Sequence, residues 1–216
     1  LLQNEREDVV KYCRKMITAG LTKGTGGNIS ILNREKGLFA ISPSGIDYFE
    51  TEPEDVVVMD LEGNIVDGKR KPSSEHGLHR IFYTDRDDID AVVHTHSTYA
   101  TAWAARGEAI PCVLTMMGDE FGGEVPVGPF AIIGDDSIGR GIVETLRDSR
   151  SPAVLMANHG PFTIGRDATA AVKAAVMVEE VARTVAAAMQ LGEPVPVAQE
   201  HIDSLYNRYQ NVYGQH

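Results

Sequence analysis

Three histidines in two short segments could bind one metal ion. His94 and His96 end an apolar run that is typical of a buried strand, and His159 follows a second such run, 153–157. Side chains two residues apart on a strand point the same way, so His94 and His96 could reach one ion. A His-x-His pair alone is more often two polar residues at a strand end. With His159 added, the pattern predicts a divalent-metal site whose fourth position is open to water or substrate.

Glu75 is the candidate carboxylate for this site. It lies at the start of a predicted helix, where the helix dipole favours negative charge. It could bind the metal, act as a base, or do both in turn. On the local sequence alone, an ordinary carboxylate stabilised by the helix start is slightly favoured over either role.

Three segments in the first third of the chain could hold a small anion. They offer glycine backbone, hydroxyls and N–H groups, and they are Gly26-Gly27-Asn28, Ser42-Pro43-Ser44-Gly45 and Ser73-Ser74. Each alone is more often simple turn chemistry, but all three precede the candidate metal ligands. The glycines do not form G-x-G-x-x-G and there is no P-loop, which argues against a nucleotide site.

Hydrophobic periodicity predicts the elements that must position these residues. Helices are expected near 4–20, 73–83, 97–105, 137–147, 167–191 and 198–208, and strands near 28–32, 38–42, 56–60, 64–67, 91–96, 153–157 and 162–165. Residues 110–134 are expected to form short strands with glycine-rich turns. The early hairpins favour one α/β domain spanning 1–216, with a central, mostly antiparallel or mixed sheet covered by helices on both sides.

Composition restricts the class of partner. The 216 residues are 43% hydrophobic and 24% charged, as expected for a folded enzyme, and the formal net charge of -11 argues against nucleic acid. No apolar run is long enough to span a membrane. Two cysteines, Cys13 and Cys112, do not make a disulfide framework, so we expect a cytoplasmic protein.

The ordered motifs resemble those of the class II sugar-phosphate aldolase superfamily, which includes L-fuculose-1-phosphate aldolases, L-ribulose-5-phosphate 4-epimerases and the adducin head domain. The matching motifs span nearly the whole chain and are Gly26 to Ser30, Ser42 to Gly45, Ser73-Ser74-Glu75, His94 to Ser97 and Asn158-His159-Gly160. The resemblance implies a metal-dependent enzyme that makes or breaks a carbon–carbon bond next to the carbonyl of a phosphorylated sugar.

The resemblance also implies roles for individual residues. His94, His96 and His159 are expected to bind Zn²⁺, or another divalent ion such as Mn²⁺ or Co²⁺, and Glu75 to be a metal ligand or an acid/base. The substrate phosphate is expected to be bound by the set Gly27, Asn28, Ser44, Gly45, Ser73 and Ser74. Members of the superfamily are usually cyclic homotetramers with active sites at subunit interfaces.

Within the superfamily, the resemblance is strongest to the L-ribulose-5-phosphate 4-epimerases. Asp119, His201 and Tyr213 match positions that act in the epimerases, which implies that residues 193–216 contribute to the active site as a helix and tail. Glu75 is instead aldolase-like. The alternative is therefore a class II aldolase that releases dihydroxyacetone phosphate from L-fuculose 1-phosphate or a related deoxypentulose phosphate. A non-catalytic adducin-like module is a third alternative, although it would not need metal ligands.

Overall fold

The protein is described by a computed structural model, which covers residues 1–130, 132 and 136–212. In this part of the chain the strands are β1 (Asn28–Asn33), β2 (Leu38–Ile41), β3 (Val57–Asp60), β4 (Ile65–Asp67), β5 (Ala91–His94), β6 (Val127–Gly128), β7 (Ala153–Met156) and β8 (Gly160–Gly165). The α-helices are α1 (Gln3–Thr18), α2 (His76–Asp85), α3 (Thr98–Arg106), α4 (Thr115–Phe121), α5 (Asp136–Arg147), α6 (Ala168–Leu191) and α7 (Gln199–Val212).

The eight strands form one mixed sheet in the order β4-β3-β2-β1-β5-β8-β7-β6. Neighbouring strands are antiparallel except β6 and β7, which are parallel. The first residue of β1, Asn28, pairs directly with His94 at the end of β5. On the other side of β5, His94 pairs with Phe162 of β8. The register therefore places the end of β5 between two strands that can contribute to one site.

Helices cover both faces of the sheet because the strand residues alternate between two apolar clusters. Ile29 and Val93 point to the face covered by α1 and the first half of α6. Val92 points to the opposite face, where Phe82 of α2 and Ile142 of α5 pack. A third cluster joins α3, α4 and the second half of α6 beside β7. The predicted fold class, an α/β domain with a mixed sheet between helices, is confirmed.

The structure corrects the prediction for residues 110–134, where short strands were expected. Residues Thr115–Phe121 form α4, and within the described part of 110–134 the one strand is the two-residue β6. The local sequence of α4 is glycine-containing and does not favour a helix. Its position follows from packing against α7, since a Cβ on Gly118 would lie 2.9 Å from the side chain of Leu205. The local hydrophobic pattern cannot show this contact, because Leu205 is distant from Gly118 in the sequence.

In the described residues, no helix is both long enough and apolar enough to cross a membrane.

Candidate active site

The side chains of His94, His96 and His159 converge on one point. Their Nε2 atoms lie 2.9 Å apart between His94 and His96, 3.3 Å between His96 and His159, and 3.0 Å between His159 and His94. The sequence predicted a strand that includes His96, but β5 ends at His94 and His96 lies beyond it. The two imidazoles still meet, although strand alternation is not the reason.

The backbone determines which nitrogen of His94 faces the other histidines. His94 is fully buried, and its Nδ1 lies 2.9 Å from the carbonyl oxygen of Pro161. A carbonyl only accepts, so Nδ1 carries the hydrogen and Nε2 presents a lone pair to the cluster. Burial lowers the pKa of His94 to about 4, which keeps the ring neutral near pH 7. This is the arrangement that orients a metal-binding histidine.

Glu75 reaches the same point from the residue before α2. Its Oε1 lies 3.1 Å from Nε2 of His159, and its Oε2 lies 3.5 Å from Nε2 of His94. The side chain is only 9% exposed. Burial raises the pKa of Glu75, but electrostatic interaction with His94 and contacts with His159 and Asn28 outweigh this effect and lower the pKa to about 2. The carboxylate is therefore ionised beside the imidazoles.

The four side chains fit a divalent cation. Two nitrogen ligands of a tetrahedral zinc ion, each about 2.0–2.1 Å from the metal, lie roughly 3.3 Å apart. The observed Nε2 separations are close to this value, and the carboxylate supplies a negative charge. Nitrogen lone pairs that converge on one point are favourable when a cation lies between them. His94, His96 and His159 could together hold a metal ion.

Close backbone contacts hold the two histidine segments in place. A Cβ on Gly27 would lie 2.6 Å from the carbonyl oxygen of His94, and a Cβ on Gly160 would lie 2.7 Å from that of Thr95. Asn158, directly before His159, has φ 60, a left-handed conformation that is uncommon for residues other than glycine. The glycines and this turn bring His159 against the end of β5.

The three segments predicted to hold an anion are joined to one another and to the histidines. Ser42 N–H donates to the carbonyl of Ile29, next to Asn28, and Ser73 N–H donates to the carbonyl of Ser42. The N–H of Ser44 is not free to bind an anion, since it donates to the carbonyl of Lys71. Ser44, Gly45 and Ser74 are exposed, whereas Ser73 is buried. The three segments therefore lie together beside Glu75, and we call them the anion ledge.

The start of α2 differs from the prediction. The serines were expected in N-cap positions with Glu75 in the first turn, but the helix begins at His76 and Glu75 is its N-cap residue. Ser73 contributes by accepting a hydrogen bond from the Glu75 N–H through its hydroxyl. Glu75 therefore lies in a turn before the helix, and the hydroxyl of Ser73 stabilises this turn.

Asn28 lies between the anion ledge and the metal cluster, and its side chain faces the cluster. Its Nδ2 donates to Oε2 of Glu75 at 2.6 Å, and its Oδ1 lies 2.6 Å from Nε2 of His79. Asn28 is 3% exposed. In this structure its amide is committed to Glu75, and the resemblance-based role in phosphate binding stays a prediction.

The remaining predicted residues are Asp119, His201 and Tyr213, of which the structure describes the first two. Asp119 is on α4, and its Oδ1 is buried without a hydrogen-bond partner among the described residues. His201 is on α7, where its side chain is 69% exposed and lies 3.8 Å from Glu200. Tyr213 lies outside the described residues. No hydrogen bond within the described part of the chain joins Asp119 or His201 to Glu75.

Two features of the site are missing from the sequence-based prediction. A cavity of about 310 Å³ opens beside His96 and is lined by Thr22, Lys23, Gly26 and Thr98 among others. Behind Asn28, a buried polar group consists of Ser30, His79 and Tyr83. The sequence carries a signal for this second group in its spacing, because Asn28 and Ser30 are two residues apart on β1 and His79 and Tyr83 are four apart on α2. It does not show that β1 and α2 pack against each other.

Comparison with known proteins finds relatives that are sugar-phosphate aldolases and epimerases. A 5-deoxy-D-ribulose 1-phosphate aldolase from Bacillus thuringiensis serovar kurstaki is 44% identical over 215 residues, covering 100% of this chain and 99% of the relative. An L-ribulose-5-phosphate 4-epimerase from Salmonella paratyphi B is 41% identical over 173 residues, 76% of each chain. A solved structure of an L-fuculose 1-phosphate aldolase superposes with a TM-score of 0.92 at 38% identity, covering 97% of this chain and 98% of that one.

The profile described as Class II Aldolase and Adducin N-terminal domain matches residues 7–186. That range contains all of the histidine cluster, Glu75 and the anion ledge. With the relatives named above, the match shows that this chain belongs to the class II aldolase and adducin N-terminal domain family and is an enzyme of the aldolase and epimerase kind.

Proposed function

We propose that this chain is a zinc-dependent aldolase that cleaves the C3–C4 bond of a 5-deoxyketose 1-phosphate and releases dihydroxyacetone phosphate and an aldehyde. The observation that carries the proposal is the convergence of three histidine Nε2 atoms and the Glu75 carboxylate on one point. The choice of aldolase is supported by the 44% identity to the 5-deoxy-D-ribulose 1-phosphate aldolase, which extends over the whole chain. The L-fuculose 1-phosphate aldolase structure supports it as well.

His94, His96 and His159 would hold the zinc ion, with Glu75 beside it as a further ligand. When bound, such an ion acts as a Lewis acid that draws electrons from a ketone oxygen and an adjacent hydroxyl. Mn²⁺ or Co²⁺ could serve in the same site because imidazole binds each of them. Burial keeps His94 neutral, and its hydrogen bond to the Pro161 carbonyl fixes the tautomer in which Nε2 can bind the metal.

Glu75 would transfer the proton at C3. As the C3–C4 bond breaks, its electron pair stays with the C2–C3 fragment, and the C4 hydroxyl loses a proton as it becomes the aldehyde carbonyl. The C2–C3 fragment then gains a proton at C3 to give dihydroxyacetone phosphate. Oε1 of Glu75 suits this transfer, because Oε2 accepts the hydrogen bond from Asn28. The C4 hydroxyl proton requires a second group, for which Tyr213 of a neighbouring subunit is our candidate.

The phosphate would bind at the anion ledge next to Glu75. The candidate donors are Gly27, Asn28, Ser44, Gly45, Ser73 and Ser74. Exposure of Ser44, Gly45 and Ser74 supports this site, since an incoming anion can reach them. Small anions are well held by hydroxyls and backbone N–H groups of this kind.

A 4-epimerase acting on L-ribulose 5-phosphate is the second candidate, favoured by the relative of that name at 41% identity. The same C–C bond would open, the aldehyde fragment would turn, and the bond would re-form on its other face. Proton transfers on the two faces require two groups, for which we propose Asp119 and Tyr213, with His201 assisting. The Oδ1 atom of Asp119 is buried and has no hydrogen-bond partner among the described residues, which supports its ability to take part.

We further propose a cytoplasmic homotetramer with active sites at the subunit interfaces. In such an assembly, residues 193–216 of one subunit would complete the site of its neighbour. The exposure of His201 supports this arrangement, because its imidazole is available to another chain.

Three substrates separate the candidates. The zinc-loaded protein is incubated with 5-deoxy-D-ribulose 1-phosphate, L-fuculose 1-phosphate or L-ribulose 5-phosphate. Release of dihydroxyacetone phosphate from a 1-phosphate supports the aldolase, and conversion of L-ribulose 5-phosphate to its 4-epimer without that release supports the epimerase. If none reacts and the purified protein contains no metal, the enzyme proposal fails and the non-catalytic, adducin-like alternative is supported.

A further inference from the structure

We propose that His79 is a positioning residue that fixes Glu75 through Asn28, with Ser30 and Tyr83 fixing His79 in turn. This inference rests on the proposed role of Glu75. Five side chains form one continuous chain of hydrogen bonds. Glu75 Oε2 to Asn28 Nδ2 is 2.6 Å, Asn28 Oδ1 to His79 Nε2 is 2.6 Å, His79 Nδ1 to Ser30 Oγ is 2.7 Å, and Ser30 Oγ to Tyr83 OH is 2.6 Å.

The ionised carboxylate of Glu75 sets the direction of every bond in the chain. It can only accept, so the Asn28 amide nitrogen must face it and the amide oxygen must face His79. That oxygen also only accepts, so His79 carries its hydrogen on Nε2 and its Nδ1 accepts from the Ser30 hydroxyl. The hydrogen of Ser30 is then used, and Tyr83 donates to the Ser30 oxygen. All hydrogens point toward Glu75.

The chain is isolated from solvent. Ser30 and His79 are fully buried, Tyr83 is 2% exposed and Asn28 is 3% exposed. Water therefore cannot replace a missing donor at low cost, and a buried acceptor left unpaired is expensive. The geometry of the two elements supports the chain, because Asn28 and Ser30 lie two apart on β1, and His79 and Tyr83 lie four apart on α2.

The chain gives the two oxygens of Glu75 different surroundings. Oε2 accepts from Asn28, while Oε1 faces His159 at 3.1 Å. Without His79, the Asn28 amide could rotate and the carboxylate would lose its fixed orientation toward the histidines. Residues that orient metal ligands in this way typically contribute about 10–100-fold to metal affinity or activity.

The test compares His79→Gln with His79→Leu. Glutamine can place an N–H near the position of His79 Nε2, whereas leucine fills similar volume without a donor. We expect His79→Leu to lower Zn²⁺ affinity, measured by chelator competition, and kcat by at least about tenfold, with KM little changed. His79→Gln should recover most of both. Equal losses in the two variants, or a folded His79→Leu protein with wild-type Zn²⁺ affinity and kcat, would overturn the proposal.

If His79→Leu does not fold, Ser30→Ala and Tyr83→Phe interrupt the chain farther from Glu75. We expect the loss of Zn²⁺ affinity to be smaller for Tyr83→Phe than for Ser30→Ala, because a longer part of the chain remains. The reverse order, or no loss in either variant, contradicts a directed chain.

A measurement on the metal-free protein separates this proposal from the proposed function. In ¹⁵N-detected imidazole spectra at neutral pH, we expect His79 as the neutral tautomer with hydrogen on Nε2. An Nδ1–H tautomer or an imidazolium would overturn the chain. Aldolase activity and metal binding do not enter this readout, so a failure of the enzymatic proposal leaves a distinguishable result.

Discussion

Gly27 packs directly against the backbone of His94, and a Cβ on Gly27 would lie 2.6 Å from the His94 carbonyl oxygen. The contact joins the segment before β1 to the end of β5, where the first candidate metal ligand lies. Gly27 also has φ 74, in the left-handed region. Both the conformation and the space therefore require glycine at this position.

Replacing Gly27 by alanine should destabilise the protein more than a conformational penalty explains. Gly37→Ala is the matched control, since Gly37 has φ 63 and nothing lies within 4 Å of its added Cβ. The left-handed conformation alone costs about 1–2 kcal/mol in each variant. The contact with His94 should add about 1–3 kcal/mol for Gly27→Ala. Urea unfolding of the metal-free proteins measures the free energy of unfolding of both variants. Equal losses of stability would show that the backbone of His94 moves freely to accommodate the added Cβ.

Chelation should remove activity and lower the unfolding temperature, and added Zn²⁺ should restore both. Binding to the folded state alone stabilises a protein by about 2.7 kcal/mol at a ligand concentration 100 times Kd. His159→Ala should abolish this stabilisation because it removes one of the three converging Nε2 atoms. The exposed His201 provides the control, and His201→Ala should keep the same metal content. Metal analysis and thermal unfolding with and without chelator are the measurements.

Glu179 of α6 should be important for the helix that follows His96. Its carboxylate accepts from the backbone N–H of Tyr99 at 2.9 Å and of Ala100 at 2.9 Å, the first turn of α3. Glu179→Ala should cost about 0.5–2 kcal/mol, as for loss of a helix cap. The neighbouring Glu180 pairs with the exposed Arg183 on the same helix, so Glu180→Ala should cost under about 0.5 kcal/mol. Similar costs in urea unfolding would contradict the capping role.

Stability of the metal-free protein should fall as the pH falls below about 6.5, the ordinary pKa of an unfolded histidine. Burial lowers the pKa of His79 to about 3 in the folded state. Between these two values the unfolded chain binds a proton at this residue that the folded chain does not, so lowering the pH favours unfolding. His79→Gln should show a weaker loss of stability from pH 6.5 to pH 4. An unchanged pH dependence in urea unfolding would contradict a buried, neutral His79.

The local sequence was sufficient where a short-range pattern carried the information. The apolar runs before His94 and His159 predicted buried strands, and β5 and β7 are there. The alanine-rich stretch predicted α6, whose N-cap Asp167 accepts from the N–H of Ala170. These features depend on residues within a few positions of each other, so the sequence shows them directly.

Long-range contacts decided the rest. α4 was missed because Gly118 becomes helical against Leu205, 87 positions away in the chain and absent from any local window. His96 leaves the strand, and its meeting with His159 depends on the register of β5 with β8. By itself the sequence determined the residue types, most of the elements outside 110–134, and the family. Which face of β1 meets which face of α2, and hence the direction of Glu75, was decided only by the packed fold, because periodicity defines a face but not its partner.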